Sequence, residues 1–451
     1  MSTDRKQELH IIGGGVCGLY GGIQSQLTGI KAHLYEAATQ FGGLAAGHQF
    51  GGNWYDLGVH MLHAFDESVF QTCKEAMGEE RIEVPLKAHI KWLGKRYHYP
   101  LRGRDILTGL PPLQLIKCVT GLFLAEIKKN SEGEDAETAL IELYGKPLYK
   151  FFFEDFTHRY WGMHPRELSA EFVRRKMPRL SAVDVFKNLL GWLKIANPKD
   201  AKEGALRFET LHYSKSGSEA LPRLLAKKLD SLGGNLQSSS PIEAVHHDGS
   251  QITAIRVKGR LHGNPSDAFM STIPLPSLLP CFTPAPPKEV LEAAANLTYK
   301  PMVVYALLVK KDQCMDALYT YYRDRVFHRV GEPKNAGLSV TPSGHTTLIV
   351  ELTCEEGDEK WRGNAMKQII KDLETEGLCN ASDIIEHNLI HSKHAYPIFH
   401  KGFDTHLSVV MNYLGQFDNF ASTGRQGAFS YPNMHSAMRM GEETALKLIK
   451  S

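Results

Sequence analysis

The apolar run Leu9–Ile12 is followed by glycines at 13, 15 and 18, then by an amphipathic stretch that runs to Leu27. Each glycine has a task in holding a dinucleotide pyrophosphate. Gly13 permits the tight turn after a strand, Gly15 lets backbone approach the phosphates, and Gly18 lets helix pack closely on strand. The first turn of the helix then presents unpaired N–H groups, with Val16 and Cys17 among them, to the phosphate charge. Glu36 ends the next apolar run, "KAHLYE", at the distance where a carboxylate accepts ribose hydroxyls. This strand–turn–helix–strand context lifts a spacing that is weak by itself to a nucleotide site.

A second set of reactive side chains follows in "GGNWYDLGVHMLHAFD", where His60 and His63 stand three apart and Asp66 closes the group. Histidine is the side chain suited to proton transfer near neutrality. Gly58, just before His60, would let this loop lie flat against a planar ligand. His63 reads equally well as an ordinary hydrogen-bonded residue.

Between these two regions, "EAATQFGGLAAG" places Gly42 and Gly43 directly after the acid. This stretch resembles the second glycine signature of the amine oxidase, protoporphyrinogen oxidase and UDP-galactopyranose mutase superfamily, and the resemblance spans almost the whole chain. Many members continue that signature with Arg and Ser or Thr, whereas Leu44, Ala45 and Ala46 stand here. The histidine loop resembles the segment that meets the flavin in this superfamily. "PIEAVHHDGSQITAI" is similar to the strand whose backbone, at Val245, contacts the adenine moiety, and "MSTIPLPSLLP" to the strand that leaves the cofactor domain. "TGRQGAFSYPNMHSAMRMGEETA" resembles the final motif, with Gly424 and Arg425 near the pyrophosphate and Met434 opening the last helix. The resemblance implies FAD in a Rossmann-type, glutathione reductase-like α/β domain. A helix N-terminus at the flavin's pyrimidine edge would stabilise the negative charge of the reduced ring.

The resemblance leans toward UDP-galactopyranose mutases. "RYHYPLRG", "THRYWGMHPRELSAEFVRRKMPR" and "GRQGAFSYPNM" have counterparts there, although His158, Arg159, Tyr160 and Trp161 match the second only in part. In the mutases, arginines and tyrosines grip the substrate diphosphate. The planar fork of Arg and the phenol donor of Tyr suit that task. The candidates by position are Arg179, Arg325 or Arg329, and Tyr431; a surface ion pair is the competing reading for each arginine. With His60 and His63, Arg329 and Tyr431 form the expected catalytic set. The activity implied is a sugar-nucleotide pyranose/furanose mutase in which reduced FAD is itself the nucleophile, with a nucleotide sugar as substrate. The alternative is an amine oxidase or protoporphyrinogen oxidase-like oxidoreductase that passes hydride from substrate to flavin. Lys300, in "LTYKPMVVYALL", could then stand beside the flavin, although a solvent-exposed lysine at a strand start is the expected reading.

These groups must be held by elements scattered along 451 residues. The nucleotide domain is expected in three pieces, 1–65, 205–285 and 395–451. Residues 66–204 read as a mainly helical substrate or cap domain, with the aromatic knot "YKFFFEDFTHRYWG" serving as core and Trp161 as a packing residue. Residues 286–394 read as an antiparallel sheet built on "MVVYALLV" and "TTLIVELTC". "NSEGEDAE" at 130–137 reads as a solvated loop. Leu110–Ile127, broken by Pro111, Pro112 and Lys117, reads as an amphipathic surface helix rather than a membrane span. Membrane-surface contact through it is a minor reading. Lys and Arg total 52 against 50 Asp and Glu, so no field favours nucleic acid, and a small-molecule substrate is expected. Seven scattered cysteines without a C-x-x-C pair read as reduced cytoplasmic thiols, with no metal site. The start of the chain lacks the pattern of a signal peptide. No second glycine motif marks a nicotinamide domain. Oligomeric state is left open.

Overall fold

The computed structural model describes residues 6–99, 105, 109–127, 133–176 and 210–450. The first strand, Glu8–Ile12, buries Leu9, Ile11 and Ile12 and sits at the centre of a five-stranded parallel sheet. Its neighbours are Lys31–Tyr35 and Asn235–Gln237 on one side, and Ala268–Ser271 and Phe420–Ser422 on the other. The nucleotide sheet thus gathers strands from both ends and the middle of the chain. Parallel strands need crossovers, and helices supply them on the sheet faces.

The helix Val16–Leu27 is buried along most of its length because two others, Ala220–Ser231 and Met434–Leu448, pack against it. Three glycines in its sequence, each costing about 0.5–1 kcal/mol relative to alanine, are tolerated for the approach they allow. A β-carbon on Gly18 would come 2.1 Å from the Gly13 carbonyl oxygen, and one on Gly441 of the last helix 2.1 Å from the Cys17 carbonyl oxygen. Helix, turn and last helix are therefore in backbone contact. Gly441 carries no motif and was not singled out in the sequence.

A seven-stranded sheet forms the other half. In order it contains Ile384–Pro397, Tyr299–Val309, Thr346–Thr353, Arg329–Gly331, Tyr319–Tyr322, Ala88–Trp92 and Lys95–Tyr99. Tyr299–Val309 is buried along its whole length, as expected of a central strand with an unbroken apolar run. Two of these strands come from the segment read as mainly helical. Alternation in "AHIKW" and "KRYHY" is short and charged, which hid it. The hairpin joins the sheet because Ala88–Trp92 pairs in parallel with Tyr319–Tyr322. Helices do follow, at Pro112–Ile127, Ala136–Tyr144, Lys146–Phe152, Glu154–Trp161 and Ala170–Lys176. Tyr149, Phe152 and Trp161 are core residues there.

The loop expected at 130–137 ends earlier than the sequence suggested. Asp135 caps a helix by accepting from the Thr138 N–H at 2.9 Å, so Ala136 and Glu137 are helical. The helix Pro112–Ile127 buries Cys118 and Leu122 and leaves Leu113, Ile116, Phe123, Leu124 and Ile127 exposed. Among the described residues no helix is long and apolar enough to cross a membrane. All seven cysteines are free thiols.

Gly441→Ala should force the first and last helices apart. The expected cost is about 1–3 kcal/mol of stability together with lower flavin content, read from urea midpoints and the visible absorbance of the purified chain. Unchanged values for both would show that the helix contact is looser than described.

Candidate functional site

The glycine turn has the geometry its spacing predicts. Gly13 takes φ +108° and donates to the Tyr35 carbonyl at 2.8 Å, tying the turn to the second strand. Gly15 precedes the helix without a side-chain cap, so the N–H groups of the first turn are available to an anion. The second glycine turn lies directly on the first, since Gly42 donates to Gly14 at 2.8 Å and Gly43 takes φ +57°. Leu44 packs toward the core instead of offering a polar contact. Glu36 accepts from the Gly14 N–H at 2.7 Å and the Ala38 N–H at 2.8 Å. A carboxylate has about four lone-pair sites, so two are left for ribose hydroxyls. Val245 is fully buried in the strand Ile242–His247. Cys17 is buried and its thiol is pushed up to about 12, so it stays protonated.

The histidine loop divides into two parts with different roles. His60 and Met434 line a small recess together with Leu62, Tyr213, Ser218 and Leu221. Burial, and then the nearby cations Arg425 and Arg329, hold the His60 imidazole down at about 3, so it is neutral. His63 stands elsewhere, stacked on Phe65 with ring centroids 5.2 Å apart and edge-on to His435. Asp66 caps the helix Glu67–Met77 and pairs with Arg439 at 2.6 Å, which lowers its carboxyl to about 2. The acid that closed the sequence motif therefore works in the scaffold. Asp56 anchors the start of the loop, accepting from the Tyr213 hydroxyl and, at 2.9 Å, from the Ser218 N–H.

Above the loop, the register of the large sheet assembles a charged row. Tyr321 pairs with Arg329, and Arg329 with Glu351, on adjacent antiparallel strands. Arg329 Nε and Nη2 donate to the two Glu351 oxygens at 2.6 and 2.7 Å, and Nη1 to the Tyr321 hydroxyl at 3.2 Å. A β-carbon on Gly58, at φ +87°, would come 3.3 Å from Glu351 and 3.4 Å from Arg329. The backbone of the His60 loop thus lies against the ion pair. Arg425 adds a second guanidinium, 4.2 Å from the Tyr431 ring centroid and 5.2 Å from that of Tyr396, with Nη2 donating to the Ala395 carbonyl at 2.6 Å. Its backbone follows Gly424, whose position against Cys17 borders the glycine turn, but its side chain turns to the tyrosines. The Tyr160 ring is tilted against that of Tyr396, with centroids 5.5 Å apart, and the Tyr99 ring against that of Tyr321, at 5.1 Å. Burial raises the Tyr160 and Tyr431 phenols, so both are O–H donors and neither is an anion.

Sequence reading named Arg329, Tyr431, Arg425 and His60, and the structure brings these four together. Arg325 belongs elsewhere, because Glu376 and Asp324 hold it. Lys300 is 4% exposed and ion-paired with Glu355, so the solvent-exposed reading is corrected: the strand it opens is central and its side chain had to find a partner. Arg179 lies outside the described residues. Tyr396, Tyr160, Tyr321, Tyr99 and Glu351 were missed. Strand register, invisible in an isolated sequence, places Tyr396, Tyr321, Tyr99 and Glu351, and the helix Glu154–Trp161 brings Tyr160 to them.

A buried guanidinium with its carboxylate removed is an uncompensated charge. Glu351→Gln should cost about 3–5 kcal/mol, whereas Glu386→Gln, outside this cluster, should cost under about 0.5 kcal/mol, both by chemical denaturation. Equal small effects would show that the pair is solvated.

An FAD molecule is compatible with this arrangement on the chain's own features. The first helix is uncapped, a β-carbon on Gly15 would meet nothing nearer than 3.9 Å, and Arg425 Nε and His60 Nδ1 are buried without hydrogen-bond partners. Residues 26–360 match the family described as flavin containing amine oxidoreductase. Over 150 residues the chain is 26% identical to the dTDP-fucopyranose mutase of Escherichia coli, a match that covers 30% of this chain and 38% of that protein. A crystal structure of reduced UDP-galactopyranose mutase superposes with a TM-score of 0.83 at 19% identity, covering 99% of this chain and 94% of that one. A protein described as a putative protoporphyrinogen oxidase from Exiguobacterium sp. 255-15 superposes with a TM-score of 0.73 at 16% identity, over 99% of each chain. Turn, loop and family match lead to one statement: the chain belongs to the flavin containing amine oxidoreductase family and is an FAD-dependent enzyme.

Proposed function

We propose that this enzyme is a sugar-nucleotide pyranose/furanose mutase that works with reduced FAD. One observation carries the reading: two guanidiniums, Arg329 and Arg425, stand among tyrosines, most of them half-buried, beside the His60 loop. Such a set suits a doubly charged diphosphate better than an amine or a neutral ring, because the guanidiniums repel the first and are left unmatched by the second. The names of the Escherichia coli relative and of the reduced mutase structure support a nucleotide-sugar substrate.

Bound FAD in its reduced form would supply an electron-rich ring beside the sugar. The chain's own residues do the remaining work. Arg329, held by Glu351, and Arg425, stacked on Tyr431, compensate the charge that gathers on a departing diphosphate. Tyr431, Tyr396 and Tyr160 supply O–H donors that stay protonated through neutral pH. The neutral His60 adds no charge to compete with them. Burial of the cluster excludes the water that would otherwise hydrolyse an activated sugar.

The oxidoreductase reading has one observation in its favour, the burial of Lys300, but Glu355 holds that ammonium. Turnover separates the two. Incubated with a panel of nucleotide sugars under dithionite, the yellow protein should yield ring isomers, and none when the flavin is oxidised. Peroxide released from amines or porphyrinogens in air, without isomerisation, would overturn the proposal. Tyr431→Phe should raise KM for the nucleotide sugar roughly tenfold by loss of one hydrogen bond to a charged group.

A further inference from the structure

At the end of the parallel sheet away from the glycine turn, strand register builds a second cluster that the proposed chemistry does not use. Glu8 and His10 are two apart on the first strand and so share a face. His33 on the second strand is in register with His10, and their rings stack with centroids 4.8 Å apart. Asp267 immediately precedes Ala268, the residue paired with Leu9. Donor atoms of Glu8, His10 and Asp267 all lie within 4.8 Å of one another.

His10 is 2% exposed and Asp267 1% exposed, with His10 Nε2 at 3.5 Å from Asp267 Oδ2 and without a hydrogen-bond partner. Metal bonds of about 2.0–2.2 Å set ligand atoms roughly 3–4.4 Å apart, a range that includes the 3.5 Å between His10 Nε2 and Asp267 Oδ2. The surroundings orient each group as metal ligands require. His10 Nδ1 meets the Tyr35 hydroxyl at 3.2 Å, which leaves Nε2 facing the carboxylates. Asp267 Oδ2 accepts from the Asn264 backbone and side chain at 3.0 and 2.9 Å. Asn235 Nδ2 lies 3.1 Å from His33 Nδ1, and His33 Nε2 lies 3.1 Å from Glu8 Oε2. That chain fixes His33 as an Nε2–H donor to Glu8. Gly263, at φ +82°, closes over the cluster, and a β-carbon there would come 3.1 Å from His10 Nε2.

We propose that Glu8, His10 and Asp267 form a binding site for a divalent cation of the zinc class, with Tyr35 and His33 orienting the ligands. One imidazole and two carboxylates favour zinc over calcium or magnesium, which take all-oxygen shells. The bound cation joins the first strand to the loop before Ala268–Ser271 and offsets the buried Asp267 carboxylate and the partly exposed one of Glu8. Its place at the far end of the sheet makes it a structural site.

The test uses the full-length flavoprotein, stripped with chelator and dialysed against zinc, manganese, magnesium or calcium separately. Zinc should be retained at about one ion per chain by mass spectrometry, with a rise in Tm, and calcium and magnesium should not. Asp267→Asn and Glu8→Gln should each weaken zinc binding more than roughly tenfold, and Tyr35→Phe by roughly ten- to a hundredfold, with flavin absorbance retained as the check of folding. Should Asp267→Asn fail to fold, Glu8→Gln and Tyr35→Phe decide the matter, since Glu8 is partly exposed. No zinc retained by the wild-type chain, or unchanged affinity in Glu8→Gln, would overturn the proposal.

Discussion

The arrangement of the site depends on the ion pair between Arg329 and Glu351. The two residues face each other across neighbouring strands, so the sheet register delivers the guanidinium to the carboxylate with both hydrogen bonds formed. A bidentate pair removes the rotational freedom of a long side chain and fixes the remaining N–H groups in direction. The Gly58 backbone lies against this pair, which sets the height of the His60 loop over the sheet. Displacing the pair would move both the cation and the loop.

Charge bookkeeping then gives the cluster its preference. Arg329 and Glu351 cancel, His60 is neutral, the tyrosines are protonated, and Arg425 makes no ion pair among the described residues. The cluster is therefore one positive charge in excess in a poorly solvated setting, where a cation without a partner is expensive. Stacking on Tyr431 and Tyr396 offsets part of this. An anionic ligand would complete it. The same excess positive charge favours the electron-rich form of a nearby flavin.

Much of the cofactor half was legible in the sequence, because glycine at fixed offsets has few physical uses after a strand. The turn at Gly13–Gly18, the acid at Glu36, the second turn at Gly42 and the helix opening at Met434 are all local features. The half built on the seven-stranded sheet depends on pairing between distant strands, and a single sequence does not encode register in any local signal. Arg329 and Tyr431 were found only through resemblance, while Glu351 and Tyr396 had nothing to distinguish them from ordinary strand residues. The His60–His63–Asp66 motif misled in part. Ten residues separate the end of the strand Asn53–Asp56 from the start of the helix Glu67–Met77; along them the two histidines reach different surroundings, and the acid is used as a helix cap. Lys300 misled for a related reason, since its strand is central rather than peripheral.

The central claim is that the Arg329, Arg425 and tyrosine cluster is a diphosphate receptor. Calorimetric titration of the flavoprotein with a nucleoside diphosphate sugar, the matching nucleoside and a diamine tests it most directly. The account predicts that the diphosphate compound binds at least about a hundredfold more tightly than the nucleoside, that Arg425→Met removes that difference, and that the diamine does not bind. Equal binding of nucleoside and diphosphate, or tight binding of the diamine, would contradict it.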